Sequence, residues 1–161
     1  MAKIARTEKK DVFPPRKILV PIDGSENAAR ASEVATALAK QYNAELVAVT
    51  VITFPGLFVE PPAGPSPARI VQEYYDAAAK QGSTLVQNTV DSARRKGVEA
   101  RGEVIDAVSS IVESIVKKAS FEQADLIVIG SRGLGDFKRI LLGSVSSGVV
   151  AHAHCGVLVV R

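Results

Sequence analysis

The sequence predicts a single α/β domain in which a five-stranded parallel sheet is doubly wound, with helices on both of its faces. A chain of 161 residues suits one domain. Along it, short apolar runs alternate with segments whose apolar residues recur at helical spacing, which gives the order β-α-β-α-β-α-β-α-β. The runs are rich in valine and isoleucine, as is typical of parallel strands buried on both faces. The expected strand order is 3-2-1-4-5, a common one in doubly wound sheets.

The first predicted strand covers residues 17–22 and ends in a turn that contains Gly24. Ser25 is a suitable N-cap, because its hydroxyl can accept a hydrogen bond from a free backbone N–H in the first turn of a helix. Apolar residues then recur at helical spacing, at Ala31, Val34, Ala35, Leu38 and Tyr42. Asn43 is expected to end this helix, and the second strand follows at residues 46–52.

Residues 53–68 interrupt the alternation with five prolines, Pro55, Pro61, Pro62, Pro65 and Pro67. Proline lacks the N–H that a helix interior or a central strand requires. We therefore predict a connection without regular structure. A connection of this length is uncommon in a compact domain and is usually either functional or mobile.

The second half of the chain repeats the alternation. A helix is predicted over residues 69–96, with Gly82 as a weak point inside it and Gly97 as its end. The strand predicted next, at residues 99–105, is short and only weakly apolar. The last predicted elements are a helix over 108–119, a strand over 125–130, a helix through Val145 and Val149, and a strand over 157–160.

Composition excludes several classes of protein. The single cysteine, Cys155, cannot form an intramolecular disulfide or hold a structural zinc by itself. No apolar run reaches the roughly 20 residues of a membrane span. Residues 1–10 lack the apolar core of a secretory signal, so we expect a cytoplasmic protein with no membrane partner.

The net charge of +3 suggests a nucleic-acid partner, but the distribution of the charge argues against one. Residues 1–17 hold six Lys and Arg against two acids, a net charge of +4, so the other 144 residues sum to −1. We therefore predict two parts. Residues 1–15 form a basic, flexible, solvated tail, and residues 16–161 form a nearly neutral nucleotide-binding domain, as the motifs below indicate.

Ligands of an open parallel sheet bind beyond the carboxyl ends of its strands, where the strand order reverses. Asp23, after the first strand, offers a carboxylate to ribose hydroxyls or to a metal ion, although aspartate is also a common turn residue. Residues 50–52 end the second strand and offer an apolar wall to a flat base, or else belong to the plain core of the sheet.

Glycines follow the fourth strand at Gly130, Gly133 and Gly135, and Gly143 and Ser144 then begin a helix. Glycines let the backbone approach a ligand closely, and consecutive N–H groups bind anions. The free N–H groups and the dipole at a helix start favour phosphate. Together the two clusters predict a phosphate site. It is neither a Walker A loop, which needs Gly-Lys-Ser/Thr, nor the dinucleotide fingerprint, which follows the first strand.

A second group of potential ligands, His152, His154 and Cys155, lies where the last helix gives way to the last strand. A metal site needs three or four convergent ligands, usually with fixed partners of their own. Because these residues lie outside the glycine clusters, we predict a structural or surface role for them.

These residues, in this order, resemble the universal stress protein family. Its ATP-binding members carry Gly-x2-Gly-x9-Gly-Ser/Thr, a spacing matched without a gap by Gly130, Gly133, Gly143 and Ser144. The first strand and turn (18–28) and the last strand (157–160) are also similar, so the resemblance covers residues 16–161. The chain departs from the family in its tail, in its prolines at 53–68 and at Gly156, where the family often has proline.

The resemblance implies ATP bound at the switch between strands one and four, in a regulatory or stress-response protein. The implied nucleotide-binding residues are Pro21, Ile22, Asp23, Val51, Ile129, Gly130, Gly133, Gly143, Ser144 and Val145. Asp23 is also the candidate ligand for a magnesium ion. Ser131, Arg132 and Ser146 are secondary candidates.

Two further expectations follow from the resemblance and the composition. Family members commonly dimerise through the last strand, so a symmetric homodimer through the strand from Val157 to Val160 is expected. With an aromatic fraction of 5% and no tryptophan, a base is expected to sit between aliphatic side chains and backbone rather than to stack on rings.

A slow, magnesium-dependent ATP hydrolase or phosphoryl-transfer enzyme on the same site is the main alternative. The glycine loop carries no lysine and no general base is evident, which favours binding over turnover. A related nucleotide α-hydrolase would carry Ser-Gly-Gly-x-Asp-Ser after the first strand, and this sequence lacks that glycine pair. A flavoprotein of similar fold stays open.

Overall fold

A computed structural model describes residues 13–53, 67–107, 109–134 and 142–161. The remaining positions include most of the basic tail, most of the proline-rich connection, and Gly135, so the predictions made for them lie outside the described residues. At the start of the described chain, the ring of Phe13 meets that of Tyr42 edge to face, with ring centres 5.0 Å apart. Pro15 is fully buried.

Five strands alternate with four helices along the described chain. The strands are β1 (Lys17–Pro21), β2 (Glu45–Ile52), β3 (Ala100–Asp106), β4 (Leu126–Gly130) and β5 (Gly156–Val160). The helices are α1 (Glu26–Tyr42), α2 (Pro67–Arg95), α3 (Ile111–Phe121) and α4 (Ser144–His152). The strands form one parallel sheet in the order β3-β2-β1-β4-β5. The predicted fold class and strand order are confirmed.

The three central strands are buried on both faces, which explains their continuous apolar runs. Successive residues of a strand point to opposite faces of the sheet. Ile18 and Val20 of β1 accordingly pack in a cluster with α1 and α2, whereas Leu19 packs in the other cluster with α3 and α4. The two helix layers therefore cover opposite faces of the same sheet.

Three local signals at helix ends act as the sequence predicts. The Ser25 hydroxyl accepts a hydrogen bond from the Ala28 N–H at 3.1 Å, which caps the start of α1. Asn43 ends α1 in the left-handed conformation, with φ of 53°. Gly97 follows α2 with φ of +80°, a conformation that glycine adopts without steric cost.

Helix α2 and strand β3 differ in detail from the sequence prediction. The helix begins at Pro67, two residues early, because a proline in the first turn needs no hydrogen-bonded N–H. Gly82 is a packing site within the helix, since a Cβ there would lie 3.2 Å from Cγ2 of Thr50. Strand β3 is seven residues long despite its weak apolar pattern. Its Gly102 makes room for Val86 of α2, because a Cβ at Gly102 would lie 2.2 Å from Cγ1 of Val86.

Ion pairs join the elements at the amino edge of the sheet. Glu122, whose side chain is 7% exposed, pairs with Arg101 of β3 and, at 3.0 Å, with Lys118 of α3. Arg101 also donates from Nε to Glu45 at 2.6 Å, and Lys17 lies 3.1 Å from the other oxygen of Glu45. Hydrogen bonding from the Arg101 guanidinium lowers the pKa of Glu122 to about 2.

We predict that Glu122 makes the fold sensitive to acid. A carboxyl whose pKa falls from 4.5 to about 2 on folding stabilises the folded state above pH 4.5. That contribution, on the order of 3 kcal/mol, is lost as the pH falls from 4.5 towards 2. In urea denaturation, the Glu122→Gln variant should have a lower free energy of unfolding than the wild type at pH 7. Its free energy of unfolding should also change less between pH 4.5 and pH 2. The exposed Glu99→Gln variant is the control, and matching pH profiles for the two variants would refute the role of Glu122.

Candidate functional site

A cavity of about 670 Å³ opens at the carboxyl edge of the sheet. The ends of β1, β2 and β4, the start of α4 and one side of α2 surround it. All ten residues that the sequence predicts for nucleotide binding line this one cavity: Pro21, Ile22, Asp23, Val51, Ile129, Gly130, Gly133, Gly143, Ser144 and Val145. The fold therefore brings together residues that are up to 124 positions apart, from Pro21 to Val145.

Strand β2 holds the turn after β1 in place. The Ile22 N–H donates to the Val49 carbonyl at 2.8 Å, and the Thr50 hydroxyl donates to the Ile22 carbonyl at 3.0 Å. The next residue, Asp23, accepts from the Ser25 N–H at 2.9 Å with one carboxylate oxygen. Asp23 is exposed, so a carboxylate of fixed orientation faces the cavity from this turn.

Gly130, the last residue of β4, and Gly133, in the loop after it, lie close against other segments of the chain. A Cβ on Gly130 would lie 2.8 Å from the carbonyl carbon of Asn27, a backbone atom that cannot move aside. A Cβ on Gly133 would lie 2.5 Å from Oδ2 of Asp23. The loop after β4 therefore runs directly against the first turn of α1 and the carboxylate of Asp23.

The backbone of Ser131 joins this loop to two other elements. Its N–H donates to the Val160 carbonyl of β5 at 2.6 Å. Its carbonyl accepts from the Gly143 N–H at 2.7 Å and from the Ser146 hydroxyl at 2.9 Å. Ser131 and the Ser146 hydroxyl thus hold the start of α4 beside the end of β4, and Ser131 itself is fully buried.

The first turn of α4 has the properties of an anion site. Its N-cap, Gly143, has no side chain that could accept a hydrogen bond from the first N–H groups of the helix. The turn also contains no acidic residue. The N–H groups of Ser144, Val145 and Ser146 belong to the first turn, where helical geometry provides no acceptor. All three residues line the cavity, and Ser144 is exposed. Free donors and the helix dipole at this end favour a phosphate.

The rest of the cavity wall is mostly aliphatic. The contributing residues are Ile22, Val49, Val51, Ile52, Ile111, Ile115 and Ile129. Among the described lining residues, Asp23 and Arg132 carry the charges. The arrangement suits a ligand with an apolar, flat part at one end and an anionic part at the other.

One wall of the cavity was not predicted from the sequence. Helix α2 contributes Tyr74, Ala78, Gln81, Gly82 and Leu85, which recur at helical spacing along one stripe. The stripe is visible in the sequence, but nothing local indicates that it faces a cavity rather than the core. Tyr74 is 46% exposed and brings a ring to the wall, where we expected only aliphatic side chains and backbone.

Comparison with known proteins decides the family. The family model of universal stress proteins matches residues 15–161. The chain belongs to the universal stress protein family. It is 35% identical over 153 residues to the universal stress protein YxiE of Bacillus subtilis. The alignment covers 90% of this chain and 98% of YxiE.

Solved universal stress proteins share the fold. UspA from Lactobacillus plantarum superposes with a TM-score of 0.76 at 27% identity, over 90% of this chain and 97% of the other. A universal stress protein solved in complex with cAMP superposes with a TM-score of 0.66 at 27% identity, over 91% and 97% of the two chains. The cavity of this universal stress protein therefore lies in a fold for which a nucleotide complex is known.

The cluster at the end of α4 is separate from the site of this universal stress protein. His152 Nδ1 lies 2.8 Å from the Gly148 carbonyl of its own helix. Burial raises the pKa of the Cys155 thiol, which is the less reactive direction. Within the described ranges, no three His, Cys, Asp or Glu side chains gather in a metal-binding group.

None of the described helices is both long and apolar enough to span a membrane.

We predict that two glycines of the family motif differ sharply in their tolerance of a side chain. Gly130→Ala should lower the free energy of unfolding by about 1–3 kcal/mol, because its Cβ meets the Asn27 backbone. Gly143→Ala should cost less than about 1 kcal/mol, because its Cβ would come no closer than 3.4 Å to the Ser131 carbonyl oxygen. Chemical denaturation checks both variants. Equal losses would contradict the close packing of Gly130 against α1.

Proposed function

We propose that the protein binds ATP in the cavity at the carboxyl edge of the sheet and acts as a nucleotide-dependent regulator in a stress response. The observation that carries the proposal is the open first turn of α4, which lines the same cavity as Asp23 and the aliphatic end of β2. One elongated ligand with phosphates, a sugar and a base fits these three surfaces in that order.

In the proposed complex the adenine packs against Ile22 and Val51, and Asp23 accepts from the ribose hydroxyls. The phosphates lie at the start of α4, where the N–H groups of Ser144 and Val145 donate to them. The relative solved in complex with cAMP, at 27% identity, supports an adenine nucleotide as the ligand class. The triphosphate is our extension, based on the N–H groups in the first turn of α4 and on the Arg132 cation among the described lining residues.

A magnesium ion would fit beside Asp23, the sole carboxylate among the described lining residues. Mg²⁺ commonly takes one or two carboxylates together with phosphate oxygens and water. No lysine lines the described cavity, and Arg132 is its cation. We therefore favour binding over hydrolysis, with an output that depends on which conformation the nucleotide stabilises.

A cytoplasmic location stays a prediction.

We predict that a negative charge at the start of α4 weakens ATP binding without harming the fold. Ser144→Asp places a carboxylate where the phosphates bind, yet an acid in the first turn stabilises a helix. Calorimetry should show at least about a tenfold weaker Kd for ATP, with an unchanged or higher melting temperature. Ser147→Asp, which is exposed one turn further along α4, is the matched control and should bind ATP nearly as the wild type does.

The same preparation separates the two candidate functions. A wild-type protein that binds no ATP by calorimetry contradicts the proposal. Magnesium-dependent release of phosphate from ATP, abolished by Asp23→Ala, would instead support the alternative of a slow hydrolase.

We also propose a symmetric homodimer through β5. This strand pairs with β4 on one side and is an edge strand of the sheet on the other. Its residues are only partly buried, and Leu158 is 38% exposed. An apolar edge strand readily pairs with another chain, and pairing with a second copy generates two-fold symmetry.

We predict that a lysine on β5 separates the dimer. By light scattering at micromolar concentration, the wild type should have twice the 17.0 kDa mass of one chain. The Leu158→Lys variant should have a mass close to that of one chain. Phe121→Lys removes an apolar side chain that is 82% exposed at the end of α3 and should stay dimeric. A monomeric wild type would contradict the proposed dimer.

A further inference from the structure

The side chain of Gln81 is available to a ligand in a way that the other glutamines of α2 are not. Gln72 donates to Asp76 at 2.8 Å, and Gln87 donates to Asp91 at 2.8 Å. Each of these pairs spans one turn of the helix, where side chains four residues apart are neighbours. The residue four positions after Gln81 is Leu85, which has no polar group. No residue in the described parts of the chain hydrogen-bonds to the Gln81 amide.

The position of Gln81 puts this amide on the side of the cavity where Ile22 lies. Gln81 lines the cavity and is exposed to it. The next residue, Gly82, packs against Thr50 of β2, where a Cβ would lie 3.2 Å from Cγ2 of the threonine. Gln81 is therefore held beside Thr50, whose hydroxyl donates to the Ile22 carbonyl at 3.0 Å, and Ile22 packs in the same cluster as α2.

Helices α2 and α4 bound opposite ends of the site. Helix α2 packs against β2 and β3, whereas α4 packs against α3 and β5. The sheet order places β2 and β5 on opposite sides of the central pair β1 and β4. A ligand with its phosphates at the start of α4 consequently has its other end towards α2.

A second contact fixes α2 over this end of the cavity. The Tyr75 hydroxyl donates to Asp106 at the end of β3, at 2.5 Å. Hydrogen bonding to the Asp106 carboxylate raises the pKa of Tyr75, so the hydroxyl stays protonated as a donor. Tyr75 and Gly82 thus anchor the helix on either side of Ala78 and Gln81, two of its residues that line the cavity.

We propose that Gln81 is a specificity-determining residue that selects adenine over guanine, an inference that rests on the proposed ATP site. A primary amide offers one donor and one acceptor side by side. Adenine presents the complementary pair, an acceptor ring nitrogen next to the donor amino group at position 6. The discrimination applies at the N7 edge, where guanine presents two acceptors, N7 and O6, so the amide oxygen would face a like group.

The test compares the Kd values of ATP and GTP by calorimetry for the wild type, Gln81→Leu and Gln87→Leu. The wild type should prefer ATP, and Gln81→Leu should reduce the ratio of the two affinities about tenfold, through weaker ATP binding. Gln87→Leu changes the same residue type on the same helix outside the cavity and should keep the wild-type ratio.

The outcomes separate this inference from the function on which it rests. A wild type that binds ATP, together with a Gln81→Leu variant of unchanged ATP-to-GTP ratio, overturns the role of Gln81 and leaves the ATP site standing. A wild type that binds neither nucleotide overturns both. A ratio that falls equally in Gln87→Leu would show that the effect comes from α2 as a whole, and this too overturns the assignment to Gln81.

Discussion

The close approach of β4 to α1 at Gly130 is the constraint on which the site depends. Because this residue has no side chain, the end of β4 lies directly on the backbone of Asn27 and Ala28. The turn at Asp23 therefore meets the loop at Gly133, although 110 residues separate them in the sequence. The buried backbone of Ser131 then connects this junction to α4 and to β5.

The two edges of the sheet have different roles. At the amino edge, Glu122 and Arg101 lie in a network of ion pairs that joins β1, β2, β3 and α3. At the carboxyl edge, by contrast, the cavity offers unpaired helix N–H groups and apolar walls. The ion-paired groups at the amino edge have their partners within the chain, whereas the N–H groups in the first turn of α4 have no acceptor among the described residues. This separation is why the start of α4 can be altered with little expected cost in stability.

Much of this architecture could be predicted from the sequence, because local signals and tertiary packing agree. Ser25 and Asn43 determine the ends of α1 by hydrogen bonding and backbone conformation alone. The glycine spacing likewise predicted residues that line one cavity together, at the end where we propose that phosphates bind. The contribution of α2 could not be predicted, since the neighbours of Gly82 and Gln81 come from distant strands. The early start at Pro67 was missed because proline is excluded from helix interiors but not from a first turn.

The most direct test of the account is an ATP titration of isotope-labelled protein followed through its backbone amide resonances. A nucleotide that lies across the carboxyl edge should shift the amides of Gly133, Ser144 and Val145, and that of Val51 at the other end of the cavity. The amides of Glu45 and Arg101, at the amino edge, should stay in place. Shifts confined to the amino edge, or none at saturating ATP, would contradict the central claim.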